Sequence, residues 1–150
     1  MNFSAKSSFS GLNLAVAQAA FEQAARLSVE QGAEIVLEEA EAIVPVSGET
    51  KNESGTSGEL RDSGHVEMLV SSGPAPSAAV VFDAPYAAYV EYGTGVRGAA
   101  SPGAGDGPYD PNWPGMVAQP YLRPALDTAR PAIVEVFRDN AALAAKTLGR

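Results

Sequence analysis

A chain of 150 residues with 45% hydrophobic and 19% charged side chains has the composition of one globular domain, which excludes a disordered or fibrous protein. The chain contains no cysteine, so disulfides and thiolate metal sites are excluded as well. Its net charge of −8 and its ten scattered basic residues argue against specific nucleic-acid binding, which needs clustered lysine and arginine.

The N-terminal residues lack a secretory pattern, and no apolar run reaches the length of about 18 residues that a membrane span requires. We therefore expect a soluble protein that is made in the cytosol. The acidic charge keeps such a chain in solution. The negative charge also suits a channel through which DNA passes without binding, because like charges repel the phosphates.

Residues 12–44 are predicted to form one long helix that Pro45 ends, because the residue before a proline avoids helical backbone. Gly32 is the predicted weak point, since glycine costs about 1 kcal/mol relative to alanine inside a helix. The helix is indicated by apolar side chains that recur at three- and four-residue steps, namely Leu14, Ala17, Phe21, Ala24, Leu27, Ile35, Val36 and Ile43.

The composition then changes. Residues 47–64 are almost wholly polar and are predicted to form a mobile loop with a helical turn at 59–62. Two strand candidates follow, residues 65–72 and 77–83, on either side of the turn signal Gly-Pro-Ala-Pro. We expect these strands to pair in antiparallel fashion.

The stretch APYAAYVEYGTG, residues 84–95, is predicted to contain a short helix. Asp83 would cap its N-terminus, Pro85 would lie in its first turn, and Gly93 would take the left-handed conformation at its end. Its tyrosine spacing is typical of two arrangements, core packing with the hydroxyls at the surface or an aromatic protein–protein contact. The shared face would consist of Tyr86, Tyr89 and Val90.

A glycine- and proline-rich loop over residues 97–117 is predicted to precede a C-terminal helix. Pro124 can open that helix, and Pro131 predicts either a kink or a restart. The apolar face of the helix would consist of Ile133, Val134, Val136, Phe137, Leu143 and Leu148.

Catalytic and metal-binding patterns are missing from the sequence. His65 is the one histidine, which argues against a histidine-based triad or a multi-histidine metal site. The stretch GAGDG at 103–107 lacks the Lys-Ser/Thr that completes a phosphate-binding loop. Asp106 and Asp110 lack the spacing of a calcium loop. We expect no catalytic residues, no metal and no cofactor.

Three sequence motifs nevertheless follow one another along the chain in an order that is typical of a known family. They are VPVSGETKNESGTSGELRDS at 44–63, APYAAYVEYGTG at 84–95 and AQPYLRPAL at 118–126. Together they resemble the minor tail-component family of long-tailed bacteriophages, the neck or tail-completion proteins of the head–tail junction. An insertion between Gly48 and Leu60 departs from the family's usual pattern. The matching positions are Pro45, Val46, Gly48, Leu60, Arg61, Ser63, Tyr86, Ala87, Tyr89 to Thr94, and Gln119 to Ala125.

The resemblance implies one α+β domain over residues 1–150, in which the two long helices cover one face of a small, mainly antiparallel sheet. It implies a structural virion protein without enzymatic activity, located at the head–tail junction. Its copies would form a ring that joins the DNA-filled capsid connector to the tail, next to head-closure and tail-terminator proteins, with DNA passing through unbound. A tail-terminator or tail-tube subunit is the main alternative, and a small hydrolase is a more distant one.

Closed rings need contacts that repeat around an axis. The loops at 47–64 and 97–117 would reach the rings above and below, and Glu91 would pair with Arg123. The predicted oligomer contacts are Tyr86, Tyr89, Glu91, Tyr92, Gly93, Thr94, Gln119, Pro120, Tyr121 and Arg123.

Overall fold

A computed structural model describes residues 13–46, 58–69, 75–94 and 115–148. In these ranges the chain forms α1 (Leu14–Ile43), α2 (Glu59–Asp62), β1 (Gly64–Leu69), β2 (Ser77–Phe82), α3 (Ala87–Tyr92) and α4 (Leu122–Leu148). The predicted α+β class is confirmed. Residues 47–57 and 97–114 of the two predicted loops lie outside the described residues, as do residues 70–72 of the first predicted strand.

Helix α1 begins and ends close to where the sequence predicts. The Asn13 side chain accepts a hydrogen bond from the backbone N–H of Ala15 at 3.1 Å, which satisfies one of the free N–H groups of the first turn. The N–H of Val44 donates to the carbonyl of Ala40 at 2.8 Å, and Pro45 then ends the helix. Small residues dominate its buried side, which consists of Ala17, Ala24, Ser28, Gly32, Val36 and Ala40.

Helices α1 and α4 pack against each other in antiparallel orientation, because Ser28 contacts Asn140 while Gly32, one turn later, lies against Ile133. A Cβ placed on Gly32 would lie 3.4 Å from Cγ2 of Ile133, so the predicted weak point is a position of close helix approach. Four-residue steps of small side chains let one ridge fit the groove of the other helix. We call this contact the helix seam; on α4 it is buried at Ala125, Ala129 and Ala144.

Helix α4 is a single helix from Leu122 to Leu148, so of the two alternatives predicted at Pro131, a kink or a restart, the restart is wrong. Pro131 is exposed. The carbonyl of Asp127, which loses its helical partner at this proline, therefore lies on the solvent side. Pro124 occupies the first turn as predicted, where N–H groups lack helical partners anyway.

Strands β1 and β2 form the predicted antiparallel pair, in a register that runs from Gly64 opposite Phe82 to Leu69 opposite Ser77. Helix α1 packs against both strands. The approach is close at Gly64, where an added Cβ would lie 2.8 Å from Cδ1 of Leu37 and 2.9 Å from Cε1 of Phe82. This position of β1 therefore accommodates only glycine without a shift of its neighbours.

Helix α3 starts later than predicted. Its N-cap residue is Tyr86, without a side-chain capping bond, so the predicted cap at Asp83 is wrong. The physical reason is a turn ahead of the helix, closed by the N–H of Ala87 donating to the carbonyl of Ala84 at 2.9 Å. Pro85 lies in this turn. Among the described residues, no helix has the length and apolar character to cross a membrane.

Candidate protein-interaction site

The three sequence motifs meet in the core, although the chain separates them widely. One cluster of buried residues contains Leu60 from the first motif, Ala87 from the second and Tyr121 from the third. The ring of Tyr121, only 1% exposed, packs edge-on against Phe82 with centroids 4.9 Å apart. We call residues 84–94 together with 115–123 the motif junction.

The first motif anchors the start of the junction. Leu60 is buried, and the hydroxyl of Ser63 donates to its carbonyl at 2.7 Å. The same hydroxyl accepts from the N–H of Ala84 at 3.2 Å, and the Ser63 carbonyl accepts from the N–H of Asp83 at 3.3 Å. The leucine and serine of the pattern Leu-Arg-x-Ser therefore hold the second motif in place.

Glu91 connects the second motif to the third. Its side chain is 4% exposed, and its carboxylate accepts from the backbone N–H groups of Tyr121 at 2.7 Å, Leu122 at 3.0 Å and Arg123 at 3.4 Å. These amides open α4, where N–H groups lack helical partners and the helix dipole favours a negative charge. The glutamate of α3 is thus the N-terminal cap of α4.

Arg123 lies beside this cap. Its Nε is 3.9 Å from Oε1 of Glu91, and its guanidinium carbon is 5.4 Å from the centre of the Tyr92 ring. The expected Glu91–Arg123 pair is therefore present within one chain, at the long end of the ion-pair range. The shorter hydrogen bonds of Glu91 go to the backbone of α4, a role that the motif pattern did not indicate.

Gly93 and Thr94 end α3 and lead to the segment before α4. Gly93 has φ 71° and ψ 177°, so the predicted positive φ is confirmed, whereas the left-handed helical ψ is wrong. This backbone region is accessible essentially to glycine alone. Thr94 and Met116 exchange two hydrogen bonds: the N–H of Thr94 donates to the Met116 carbonyl at 2.9 Å, and the Met116 N–H donates to Thr94 Oγ1 at 3.0 Å.

The tyrosines of α3 lie on the outside of the junction. Tyr86, Tyr89 and Tyr92 are 37–43% exposed, so core packing is the wrong interpretation for these three side chains. The Tyr86 hydroxyl donates to Glu59 Oε2 at 3.5 Å. Partial burial, and then the negative charge of Glu59, raise the pKa of Tyr86 above its usual value. Burial, and then Glu91 and Tyr92, raise the pKa of Tyr121 to about 12.

A cleft of about 290 Å³ opens next to Tyr86. All three motifs contribute to it, and the exposed apolar side chains of Val46 and Met116 lie at its edge. Sequence reasoning missed Met116, because it belongs to a segment that reads as loop. The motif residues that line the cleft are Pro45, Val46, Gly58, Glu59, Leu60, Tyr86, Val90 and Gln119.

The structure thus places all ten predicted contact residues in the motif junction and divides them into two groups. Whether any of them contacts another chain stays a prediction. Four are buried and build the junction, namely Glu91, Gly93, Thr94 and Tyr121. Six are exposed and remain accessible, namely Tyr86, Tyr89, Tyr92, Gln119, Pro120 and Arg123.

His65 lies apart from this surface, at the start of the sheet. Its Nε2 is 3.3 Å from Glu67 Oε1, and its Nδ1 is 3.7 Å from Asp83 Oδ2. The hydrogen bond to Glu67 is the main cause that raises its pKa. In the part of the chain that the structure describes, no group of three His, Cys, Asp or Glu side chains could hold a metal ion.

Comparison with known protein families finds a match. The family model described as "Bacteriophage HK97-gp10, putative tail-component" matches residues 13–93, which is more than half of the chain. No curated protein and no solved structure matches. The matched region includes the first motif and residues 84–93 of the second, and it ends before the third.

Proposed function

Because the chain belongs to the HK97-gp10-like family of bacteriophage tail components, we propose that it is a structural protein of the head–tail junction. Its copies form a ring that joins the capsid connector to the tail. Its neighbours are head-closure and tail-terminator proteins, and DNA passes through the ring without specific binding. The net charge of −8 supports the last point, since an acidic channel repels phosphates.

One observation carries the proposal: the motif junction is a pre-formed surface with three partly exposed tyrosines. The backbone that carries these tyrosines is held in place by two hydrogen bonds. The Glu91 carboxylate accepts from the N–H of Tyr121, and the Thr94 hydroxyl accepts from the N–H of Met116. Aromatic side chains on such a fixed backbone supply contact area at a low cost in conformational entropy. Tyr89 and Tyr92 are therefore the side chains that we expect at the centre of a protein contact.

We further propose that the protein acts without catalysis. Glu91 is the one charged side chain that is buried among the described residues. Its carboxylate already accepts three backbone N–H groups, which gives it a structural role and leaves it poorly placed for proton transfer. Binding of another protein, without a chemical reaction, accounts for the arrangement of the motif junction.

A tail-terminator or tail-tube subunit is the second candidate. The family description favours it as much as the junction, because it names a tail component and no position along the tail. The deciding experiment is electron microscopy of lysates from a phage that lacks this gene. Filled heads beside separate, finished tails support the head–tail junction. Tails of abnormal length, or no tails, indicate a terminator or tube subunit, and intact particles contradict both candidates.

A variant series tests the tyrosine surface itself. Tyr89→Ser removes an exposed ring from α3, and we expect a large loss of infectious particles with little change in the stability of the isolated protein. Leu143→Ser is the matched control, since Leu143 is an exposed apolar residue on α4 outside the motif junction. Equal particle yields for the two variants would contradict a contact at Tyr89.

A further inference from the structure

A second accessible surface is an apolar groove of about 470 Å³. Both long helices, β2 and α3 line it, and Leu126 and Phe137 remain 42% and 40% exposed within it. Grooves of this kind bind the face of a helix. The residues that line the groove include Val36, Val80, Tyr92, Leu126, Ile133 and Phe137.

The α4 side of the groove carries a charged and apolar pattern at seven-residue spacing. Arg123, Arg130 and Phe137 follow one another at this interval, and seven residues are close to two full helical turns. Both arginine side chains are 68% exposed. Among the described residues, Arg130 forms an ion pair with Asp127, whose Oδ1 lies 3.1 Å from its Nε. Arg123 and Phe137 line the groove, and the helical spacing places Arg130 between them on the same face of α4. This face therefore carries two exposed arginines followed by an aromatic ring.

The outer face of α1 carries the complementary pattern at the same spacing, in Leu27 and Glu34, which are exposed, and in Glu41, which is half-buried. Glu34 is two residues from both Gly32 and Val36, which places it on the side of α1 opposite the helix seam. Leu27 is 42% exposed. Among the described residues, no salt bridge involves Glu34 or Glu41.

We propose that the groove binds the outer face of α1 from a second copy of the chain, in antiparallel orientation to α4. This proposal rests on the ring proposed above and specifies the contact between its subunits. A single alignment places Leu27 opposite Phe137, Glu34 opposite Arg130 and Glu41 opposite Arg123. Apolar side chains meet apolar ones, and both charged positions meet the opposite charge.

The alignment joins two different faces of the chain, as the contacts of a closed ring do when the rotation between copies closes. Within one chain, Gly32 lies against Ile133 and Ser28 contacts Asn140. In the proposed contact, residues 32 and 28 of the neighbour lie opposite residues 132 and 136. The neighbouring α1 is therefore shifted by one to four residues, about 1.5–6 Å of helical rise, relative to α1 of the same chain.

Chemical cross-linking tests the contact directly, because the chain has no cysteine of its own. One chain carries Leu27→Cys and a second carries Phe137→Cys, and the two are treated as a mixture with a short bis-maleimide. We expect a covalent dimer from the mixture and none from either variant alone. Leu143→Cys in place of Phe137→Cys is the matched control and should give no dimer with Leu27→Cys.

Charge reversal tests the pairing of Glu34 with Arg130. Glu34→Arg and Arg130→Glu each place like charges at the contact, and we expect each alone to weaken self-association at least tenfold in sedimentation experiments. A mixture of the two restores the association, because each variant supplies the face that the other lacks. Glu135→Arg and Arg138→Glu are controls with the same charge changes at exposed positions of α4.

Cross-linking is carried out both on purified protein and in assembled particles, so that failure of the contact and failure of the proposed function can be told apart. Dimers in particles support both. Protein present in particles without the 27–137 dimer overturns the contact and leaves the function standing. Protein absent from particles that still gives the dimer in solution overturns the function alone. Absence of both overturns both.

Discussion

The motif junction and the helix seam are stabilised in different ways. The junction contains a buried aromatic ring and a carboxylate that bonds three amides, so its contacts are directional. The seam consists mainly of alanine, glycine and serine, largely at four-residue steps. Apart from the hydrogen bond that Asn140 donates to Ser28, its contacts depend on shape and volume. The junction should therefore be sensitive to a change of chemical group, and the seam to a change of size.

Tyr121→Ala tests the junction with the largest expected effect. Tyr121 is the largest fully buried side chain among the described residues, and its loss leaves a cavity beside Phe82. We expect a loss of about 3–5 kcal/mol in the free energy of unfolding, as for other buried aromatic residues, measured by urea denaturation. Tyr121→Phe keeps the ring and should cost less than about 1.5 kcal/mol. Equal losses for the two variants would show that the hydroxyl, and not the ring, stabilises the junction.

Glu91→Ala tests whether the cap of α4 is chemical rather than steric. It leaves three N–H groups at the start of the helix without their acceptor, and we expect a loss of about 2–3 kcal/mol. Glu91→Gln retains one acceptor oxygen without the charge that favours the helix dipole and should lose roughly half as much. Denaturation and hydrogen exchange at Tyr121 and Leu122 measure both. Unchanged exchange at these amides in Glu91→Ala would contradict the capping role.

The sequence predicts the elements better than it predicts the junction. The long helices and the strand pair are visible because their apolar residues repeat at 3.6 or 2 residues, and Pro45 ends α1 by a local steric rule. The roles of Glu91 and Ser63 depend on partners 30 and 21 positions away, and periodicity carries no such information. Asp83 fails as a cap because the turn closed by Ala84 and Ala87 competes with the helix start.

The groove was beyond sequence reasoning for a related reason. Its walls come from two helices, a strand and α3, so it exists only after the chain has folded. The seven-residue pattern of Arg123, Arg130 and Phe137 is legible in the sequence. Its meaning depends on the seam, which decides which side of each helix remains exposed.

Gly32→Ala tests the seam, and its expected effect is smaller and opposite in sign. The new Cβ would lie 3.4 Å from Ile133, close to ordinary contact, while alanine gains up to about 1 kcal/mol in helix propensity. We expect a net stabilisation of about 0.5 kcal/mol, measured by thermal unfolding. Ile133→Val is the companion variant, since added room should enlarge the gain. A clear destabilisation that Ile133→Val relieves would show that the seam tolerates no added volume at this point.

His65 tests the start of the sheet, next to the motif junction, with the smallest expected effect. Its Nδ1 lies 3.3 Å from the carbonyl of Ser63, the residue that anchors the second motif, but the ring is exposed to solvent. We expect its pKa to lie above the ordinary value of 6.5, chiefly because of the hydrogen bond with Glu67. As the one histidine of the chain, it gives an unambiguous NMR signal in a pH titration.

The sign of the pH effect follows from this direction. A pKa that is higher in the folded than in the unfolded state stabilises the fold at pH values below about 6.5, and this contribution is lost as the pH rises through the folded-state pKa. Glu67→Gln should move the pKa of His65 back towards 6.5 and leave the hydrogen exchange of Tyr121 unchanged. A His65 pKa at or below 6.5 in the unmodified protein would contradict the pairing. A change in the hydrogen exchange of Tyr121 would show that the His65–Glu67 pair is coupled to the buried part of the junction. Exposed pairs of this kind are otherwise weak.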